Sequence, residues 1–250
     1  MAAGDDTALR SYVERILGWR NPDAIDRALR SIHLGAARQA ALVLRGEGDL
    51  VPIAVALHRR ALGVAAPFVM SDPRRGNTPA SVRSPANSEH CLAAFAAARG
   101  GTLCIRARRL PVDFAQVLTA VRDPNSCVQL VVCCHAGDDR DPLLAVPAPI
   151  DVPPLRDRTD DLARITDEYA QDAATALWAH EPLTNGDRAW IVEHASTSLD
   201  QIEKATLRLT ALRMSTNMSA AAARLGMAPV SLCRWLERRN PPPSLLSRPE

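Results

Sequence analysis

A mostly parallel α/β sheet flanked by helices, running on into a helical segment that ends in a helix-turn-helix, is the architecture this sequence predicts. Three observations carry it. Short apolar runs alternate with stretches of helical periodicity, the pattern of strands joined by helices. Residues 217–239, NMSAAAARLGMAPVSLCRWLERR, hold two short helical patterns hinged on a glycine. Charge is also segregated: residues 151–200 carry eleven acids and four arginines, residues 201–250 three acids and eight bases. An acidic block therefore precedes a basic end.

The elements follow in order. Asp5 or Asp6 caps a helix with Leu9, Tyr12, Val13, Ile16 and Leu17 on one face. Asn21 and Pro22 start a second, through Ile25, Leu29 and Ile32. ALVLR at 41–45 is a short buried strand, followed by Gly46, Glu47 and Gly48 and then a helical pattern through Ile53, Ala54 and Leu57 to His58. Strand, glycine loop and helix are the layout of a phosphate cradle. The chemistry is missing, because no lysine follows to meet a phosphate, no Ser or Thr follows to hold magnesium, and Pro52 sits in the next turn. Pro67, Phe68 and Val69 form a second apolar run, Gly100 to Ile105 a third, and VQLVVCC at 128–134 a fourth. Leu110 and Pro111 open a helix through Phe114, Val117 and Val121, and IDVPPLRDRTDDL at 150–162 follows the last strand.

At the C-terminal end, Asn217 or Ser219 caps a helix whose Ala221, Ala222 and Leu225 form an apolar stripe, and Gly226 permits a left-handed turn. Pro229 suits the first turn of the second helix. Leu232 and Leu236 point inward there, while Ser231, Arg234 and Arg238 share another face. An arginine-bearing second helix after a glycine turn fits entry into a DNA major groove. The preceding helix, LDQIEKATLRLTALR, has Leu199, Ile202, Thr206, Leu209 and Arg213 on one side.

Composition bounds the rest. The 250 residues, 47% of them hydrophobic, suit one medium domain plus a small one. No signal peptide or long apolar run is evident, so a cytoplasmic, nucleoid-associated protein without membrane contact is expected. Cysteines 91, 104, 127, 133, 134 and 233 read as reduced core residues. Cys133, Cys134 and His135 near Cys127 lack metal-ligand spacing, and no metal is expected. Asp157, Asp160, Asp161, Asp167 and Glu168 read as helix caps and a solvated face, and His58 with Cys91 makes a weak nucleophile pair. Residues 241–250 are proline-rich and expected to be disordered.

Residues 217–239 resemble the Fis-type DNA-binding domain of bacterial regulators, in which Asn, Ala-Ala, Leu-Gly and later Leu and Arg recur at these spacings. That resemblance implies a homodimer through Leu199, Ile202, Thr206 and Leu209. It also implies double-stranded DNA contacts from Ser219, Arg224, Val230, Ser231, Arg234, Arg238 and Arg239, with Arg224 and Arg239 on phosphate. Residues 38–240 in turn resemble the AAA+ proteins that activate sigma-54-dependent transcription. The matching residues are Gly46, Glu47 and His58; Pro67 and Phe68; Gly100 to Leu103; Val128 to His135; and Pro153, Pro154, Leu155, Arg156, Arg158 and Asp161.

The departures from that family are informative. Its nucleotide loop is degenerate at Gly46, Glu47, Gly48 and Leu50, with Leu50 in the place of the ATP-binding lysine. Its metal-binding Asp-Glu pair is replaced by Arg106 and Ala107. Residues 71–88 lack the loop that grips the sigma factor, Asp200 stands where a nucleotide-sensing arginine belongs, and Arg140 is a loose match to the arginine finger. The expectation is a degenerate AAA+ core over 1–155, a helical lid over 156–196, a Fis-type domain over 197–240 and a tail over 241–250. Such a protein is expected to be a DNA-binding regulator with no cofactor and no ATPase activity, its core a scaffold or docking surface for another regulator or RNA polymerase. Alternatives are a nucleotide sensor, a protein-interaction module acting on a true AAA+ activator, and a residual ATPase.

Overall fold

A computed structural model of the chain describes residues 6–38, 40–81, 84–123, 125–137, 148–181 and 183–239. Asp5, Arg140 and residues 241–250, which figured in the expectations above, lie outside them. The chain divides into two units, Met1–Pro153 and Pro154–Glu250.

The first unit opens with α1 (Asp6–Leu17) and α2 (Pro22–Arg38), whose predicted stripes are buried. Asn21 caps α2 by accepting the Ala24 amide at 3.1 Å. There follow β1 (Leu42–Gly46), α3 (Val51–Leu62), β2 (Phe68–Ser71), β3 (Ala86–Ser88), α4 (Cys91–Ala97), β4 (Gly101–Arg106), α5 (Phe114–Val121), β5 (Val128–His135) and β6 (Ile150–Asp151). The six strands form one sheet in the order β3-β2-β4-β5-β1-β6, and every pairing is parallel. The predicted α/β class is therefore present. Strands covered on both faces read as continuous apolar runs, which is why β1, β4 and β5 stand out in the sequence. Alternate residues of β4 and β5 pack one face against α4 and α5, through Leu103, Ile105, Leu130, Val132, Cys91, Ala94, Phe114 and Val117. Gly101 is required at the start of β4, because a Cβ there would lie 2.0 Å from the Pro67 carbonyl oxygen.

Three elements were not anticipated: β3, α4 and the two-residue β6. β3 is Ala-Asn-Ser, with no apolar signal; it pairs with β2 and is fastened further by one side-chain amide. The Asn87 side chain accepts the Asp72 N–H at 3.0 Å and donates to the carbonyls of Arg75 and Gly76 at 2.9 and 3.2 Å. α4 has no local cap; Asp113, 22 residues on, accepts the amides of Cys91 and Leu92 at 3.1 and 2.9 Å. α5 starts at Phe114, later than Leu110 and Pro111 suggested, with Asp113 at its N-cap position.

The second unit contains α6 (Leu162–Leu177), α7 (Asn185–His194), α8 (Leu199–Arg213), α9 (Met218–Arg224) and α10 (Pro229–Glu237). Thr184 and Asp187 close a capping box on α7. The buried Asp187 also accepts two bonds from Arg213 of α8, at 2.7 and 3.1 Å. α8 packs against α6, α7 and α9. The division between the units falls at 153/154, and the helices from α6 to α10 belong to one unit. Among the described residues no helix is long and apolar enough to cross a membrane.

His58 joins three elements of the first unit. Its Nε2–H donates to the Ala66 carbonyl at 3.0 Å, since a carbonyl can only accept, and its Nδ1 accepts the Thr102 hydroxyl at 2.8 Å. Burial holds the ring below the ordinary histidine range, with the Ala66 bond opposing that shift and Arg59 adding to it. The unfolded chain therefore binds the proton more readily than the fold does. Stability from this group is full above about pH 6.5 and falls as the pH drops toward the folded value, by at most about 1.4 kcal/mol per pH unit. Urea unfolding followed by circular dichroism from pH 7.5 to 5 checks this, and His58→Gln is expected to flatten the profile.

Candidate functional site

In an open parallel sheet, ligands bind beyond the carboxyl ends of the strands, where successive connections leave in opposite directions. Here that place lies between β1 and β5. The chain leaves β1 toward β2 on one side, whereas β5 is followed by β6 on the other. A cavity of about 350 Å³ opens there, lined by Gly48, Asp49, Leu50, Arg106, Arg108, Arg109, Cys133, Cys134 and His135. The segments Gly46 to Leu50 and Arg106-Ala107 both reach this crevice, through Gly48, Asp49, Leu50 and Arg106.

An ion cluster occupies it. Arg106 donates from Nη2 to both Asp49 oxygens at 3.0 and 3.1 Å, and from Nη1 to Asp72 Oδ2 at 2.9 Å. Arg109 reaches the same Asp72 oxygen at 2.9 Å, while the Arg74 amide donates to the other at 3.0 Å. The Asp72 side chain is fully buried. Burial alone would raise its carboxyl, but the Arg74 amide, Arg109 and Arg106 outweigh that and hold it below the usual range. Asp49 accepts the Val51 amide at 3.2 Å, so a carboxylate of the chain itself sits at the N-terminus of α3. The helix end that a phosphate would use is taken, and the guanidinium beside it leaves a divalent cation without an acid there. Leu50, next to Asp49, is buried. These residues do not fit a nucleoside triphosphate with its magnesium. Asp49, Asp72 and Arg109 escaped the sequence reading. The available signal was Arg106 itself, a cation at the end of a buried strand, which needs acids at the ends of neighbouring strands.

The alternative chemistries dissolve in the geometry. Cys134 packs in the core with α4 and α5, whereas Cys133 lies 3.8 Å from Cys104 on the other face of the sheet. Two such thiols cannot converge on one ion, and among the described residues no three His, Cys, Asp or Glu side chains converge. Cys127 is exposed and Cys233 half-buried, so neither is the core residue expected. The Cys91 thiol is pushed up to about 11, by burial first and then by Asp113, which leaves it a poor nucleophile. Both ring nitrogens of His58 are engaged elsewhere. Asp167 pairs with Arg188 at 2.9 Å and Glu168 with Arg164 at 3.3 Å, as a solvated face does.

In the second unit, Asn217 caps α9 by accepting the Ala220 amide at 2.8 Å. Ala221, Ala222 and Leu225 are buried, Gly226 has φ +61°, and Pro229 begins α10. Helical spacing puts Val230, Arg234 and Arg238 on one stripe of α10 with Ser231 and Glu237 at its borders, and all five are exposed. Ser219 and Arg224 on α9 are exposed as well. On the opposite side Leu232 is fully buried. Trp235 takes the inner place expected of Leu236, which is only half-buried. The Trp235 ring meets Trp190 of α7 edge-on at 5.8 Å, and Arg208 of α8 lies over it at 4.8 Å.

Two expectations need correction. Leu199, Ile202, Thr206 and Leu209 are buried inside the unit, on a helix packed against α6, so that face of α8 is not a free dimer seam. Its apolar stripe signalled burial correctly, but the partner is the chain's own helix. Arg239 stacks on Trp235 at 5.3 Å and donates to Gln201 Oε1 at 3.0 Å. It fastens the end of α10 instead of standing free for phosphate. Asp200 is held by Lys204 and Ser198, each at 2.6 Å.

No protein-family model matches the sequence, and no curated protein does. Among solved structures, the chain is similar to NtrX from Brucella abortus, with 14% identity, a TM-score of 0.48, and coverage of 86% of this chain and 68% of that one.

The ion cluster makes a direct prediction. Arg106→Met leaves the buried Asp72 short of a partner and is expected to cost about 3 kcal/mol in urea unfolding. Because the Asp72 carboxyl is depressed in the fold, its contribution is present above about pH 4 and lost as the pH falls through the folded value. The variant's acid unfolding is expected to begin at higher pH. Unchanged urea and acid midpoints would contradict the role given to Arg106.

Proposed function

We propose that this protein is a sequence-specific DNA-binding transcriptional regulator whose α/β unit is an ATPase-dead scaffold or docking surface. The observation that carries the reading is the exposed stripe of α10. Two arginines, a serine and a valine stand free on the second helix of a glycine-hinged pair, on the basic end of the chain. Arginine pairs with guanine edges or neutralises phosphate, and a helix is what the major groove admits. Arg234, Arg238, Val230 and Ser231 contact bases, Ser219 and Arg224 meet the backbone, and Arg239 positions the helix end. The fixing of Trp235 against α7 and α8 supports a rigid reader.

Two copies on a two-fold site remain part of the proposal, because helix-turn-helix readers bind half-sites one turn of DNA apart. With the α8 face buried, the pairing surface is a different one. Loss of catalysis rests on the ion cluster. Phosphoryl transfer depends on positioning and electrostatic stabilisation, and the lysine and metal-binding acids that supply them are missing. Residues 71–88, lacking the sigma-gripping loop, leave sigma-54 contact without its usual basis.

A second reading draws on the cavity that persists beside Arg108, Arg109 and His135. It makes the chain a nucleotide sensor or a protein-interaction module that modulates a genuine AAA+ activator. Titration calorimetry separates the two: the proposal expects no heat from magnesium with ATP or ADP and no phosphate release above buffer. Saturable binding, or hydrolysis by clean protein, would favour the second.

Binding to duplexes selected from a random pool tests the first reading. Arg234→Ala is expected to cost about 1–3 kcal/mol and to relax preference at one position. Arg224→Ala should weaken all sequences alike and lower the salt slope by about one. An unchanged profile for Arg234→Ala would sink the assignment.

A further inference from the structure

Val230 is an aliphatic side chain left 53% exposed in the first turn of α10, on the same stripe as Arg234 and Arg238. We infer that Val230 reads the C5-methyl group of a thymine, so that the preferred half-site holds a thymine one or two base pairs from the guanine met by Arg234. This rests on the DNA-binding reading and deepens it.

The argument is one of chemical exclusion. Valine has no donor or acceptor, so it can neither hydrogen-bond a base edge nor hold a phosphate. Of the groups that base pairs present in the major groove, N7, O6, O4 and the amino groups are polar, and the thymine methyl alone is apolar. Against any of the others, Val230 strips water from a polar edge and gives nothing back, which costs free energy. Against thymine it buries two apolar surfaces together. Position i and position i+4 on a helix are neighbours, with Cβ atoms about 6 Å apart. Base pairs stack about 3.4 Å apart. Val230 and Arg234 therefore address bases one or two steps apart, and the shorter valine, nearer the helix start, meets the methyl while the longer arginine spans to guanine. Ser231, which can donate or accept, tolerates several bases beside them.

The test uses the full chain and its best selected duplex. Each thymine is replaced in turn by deoxyuridine, which removes the methyl and leaves every hydrogen-bonding group in place. One replacement is expected to weaken binding about fourfold, the effect of one buried methyl. That penalty should shrink in Val230→Ala, whose single methyl buries less of the thymine group, a substitution at an exposed site that leaves the core untouched. Replacing the nearby guanine by 7-deazaguanine should weaken the unaltered protein and leave Arg234→Ala unaffected. If no thymine shows a methyl effect, or if the effect is undiminished in Val230→Ala, the inference is overturned while guanine recognition by Arg234 still stands. If the pool yields no preferred sequence at all, the DNA-binding reading fails and this inference with it.

Discussion

A guanidinium tied to two carboxylates governs the α/β unit. Arg106 ends β4, Asp49 lies between β1 and α3, and Asp72 follows β2, so one side chain fastens the carboxyl ends of three parts of the sheet. Those ends are where a parallel sheet normally keeps its ligand. Here the anion at the helix N-terminus and the cation facing it both belong to the chain. The Asp72 carboxylate is fully buried, so removing Arg106 leaves that charge short of a partner, which is costly. The crevice is therefore stabilised in a self-satisfied form, and a phosphate entering it would have to displace Asp49 from Arg106.

In the helical unit the corresponding constraint is α8. It lies against α6 with its apolar face, holds α7 through Arg213 and Asp187, and supports α9. Trp235, wedged against Trp190 and beneath Arg208, extends that support to α10. α8 thus packs against α6, α7 and α9 at once. The use of the α8 face inside the unit means that self-association, where it occurs, must draw on other surfaces.

Much of this was legible in the sequence, for a physical reason. Strands buried on both faces must be apolar throughout, which exposed β1, β4 and β5. The α9–α10 helix pair was legible because capping asparagine, left-handed glycine and first-turn proline each have one local use, and Asn217, Gly226 and Pro229 fill them. What escaped depends on distant partners. β3 exists through the Asn87 amide, α4 is capped by Asp113 from beyond the next strand, and Arg106 is answered by acids 57 and 34 positions away. The stripe of α8 announced that it would be buried without saying against what.

Hydrogen–deuterium exchange of the full chain, with selected DNA and separately with magnesium and ATP, tests the central claim most directly. The account predicts slower exchange over residues 217–239 with DNA and no change over 46–51 or around Arg106 with ATP. Protection of 46–51 by ATP, together with a DNA-indifferent 217–239, would contradict it.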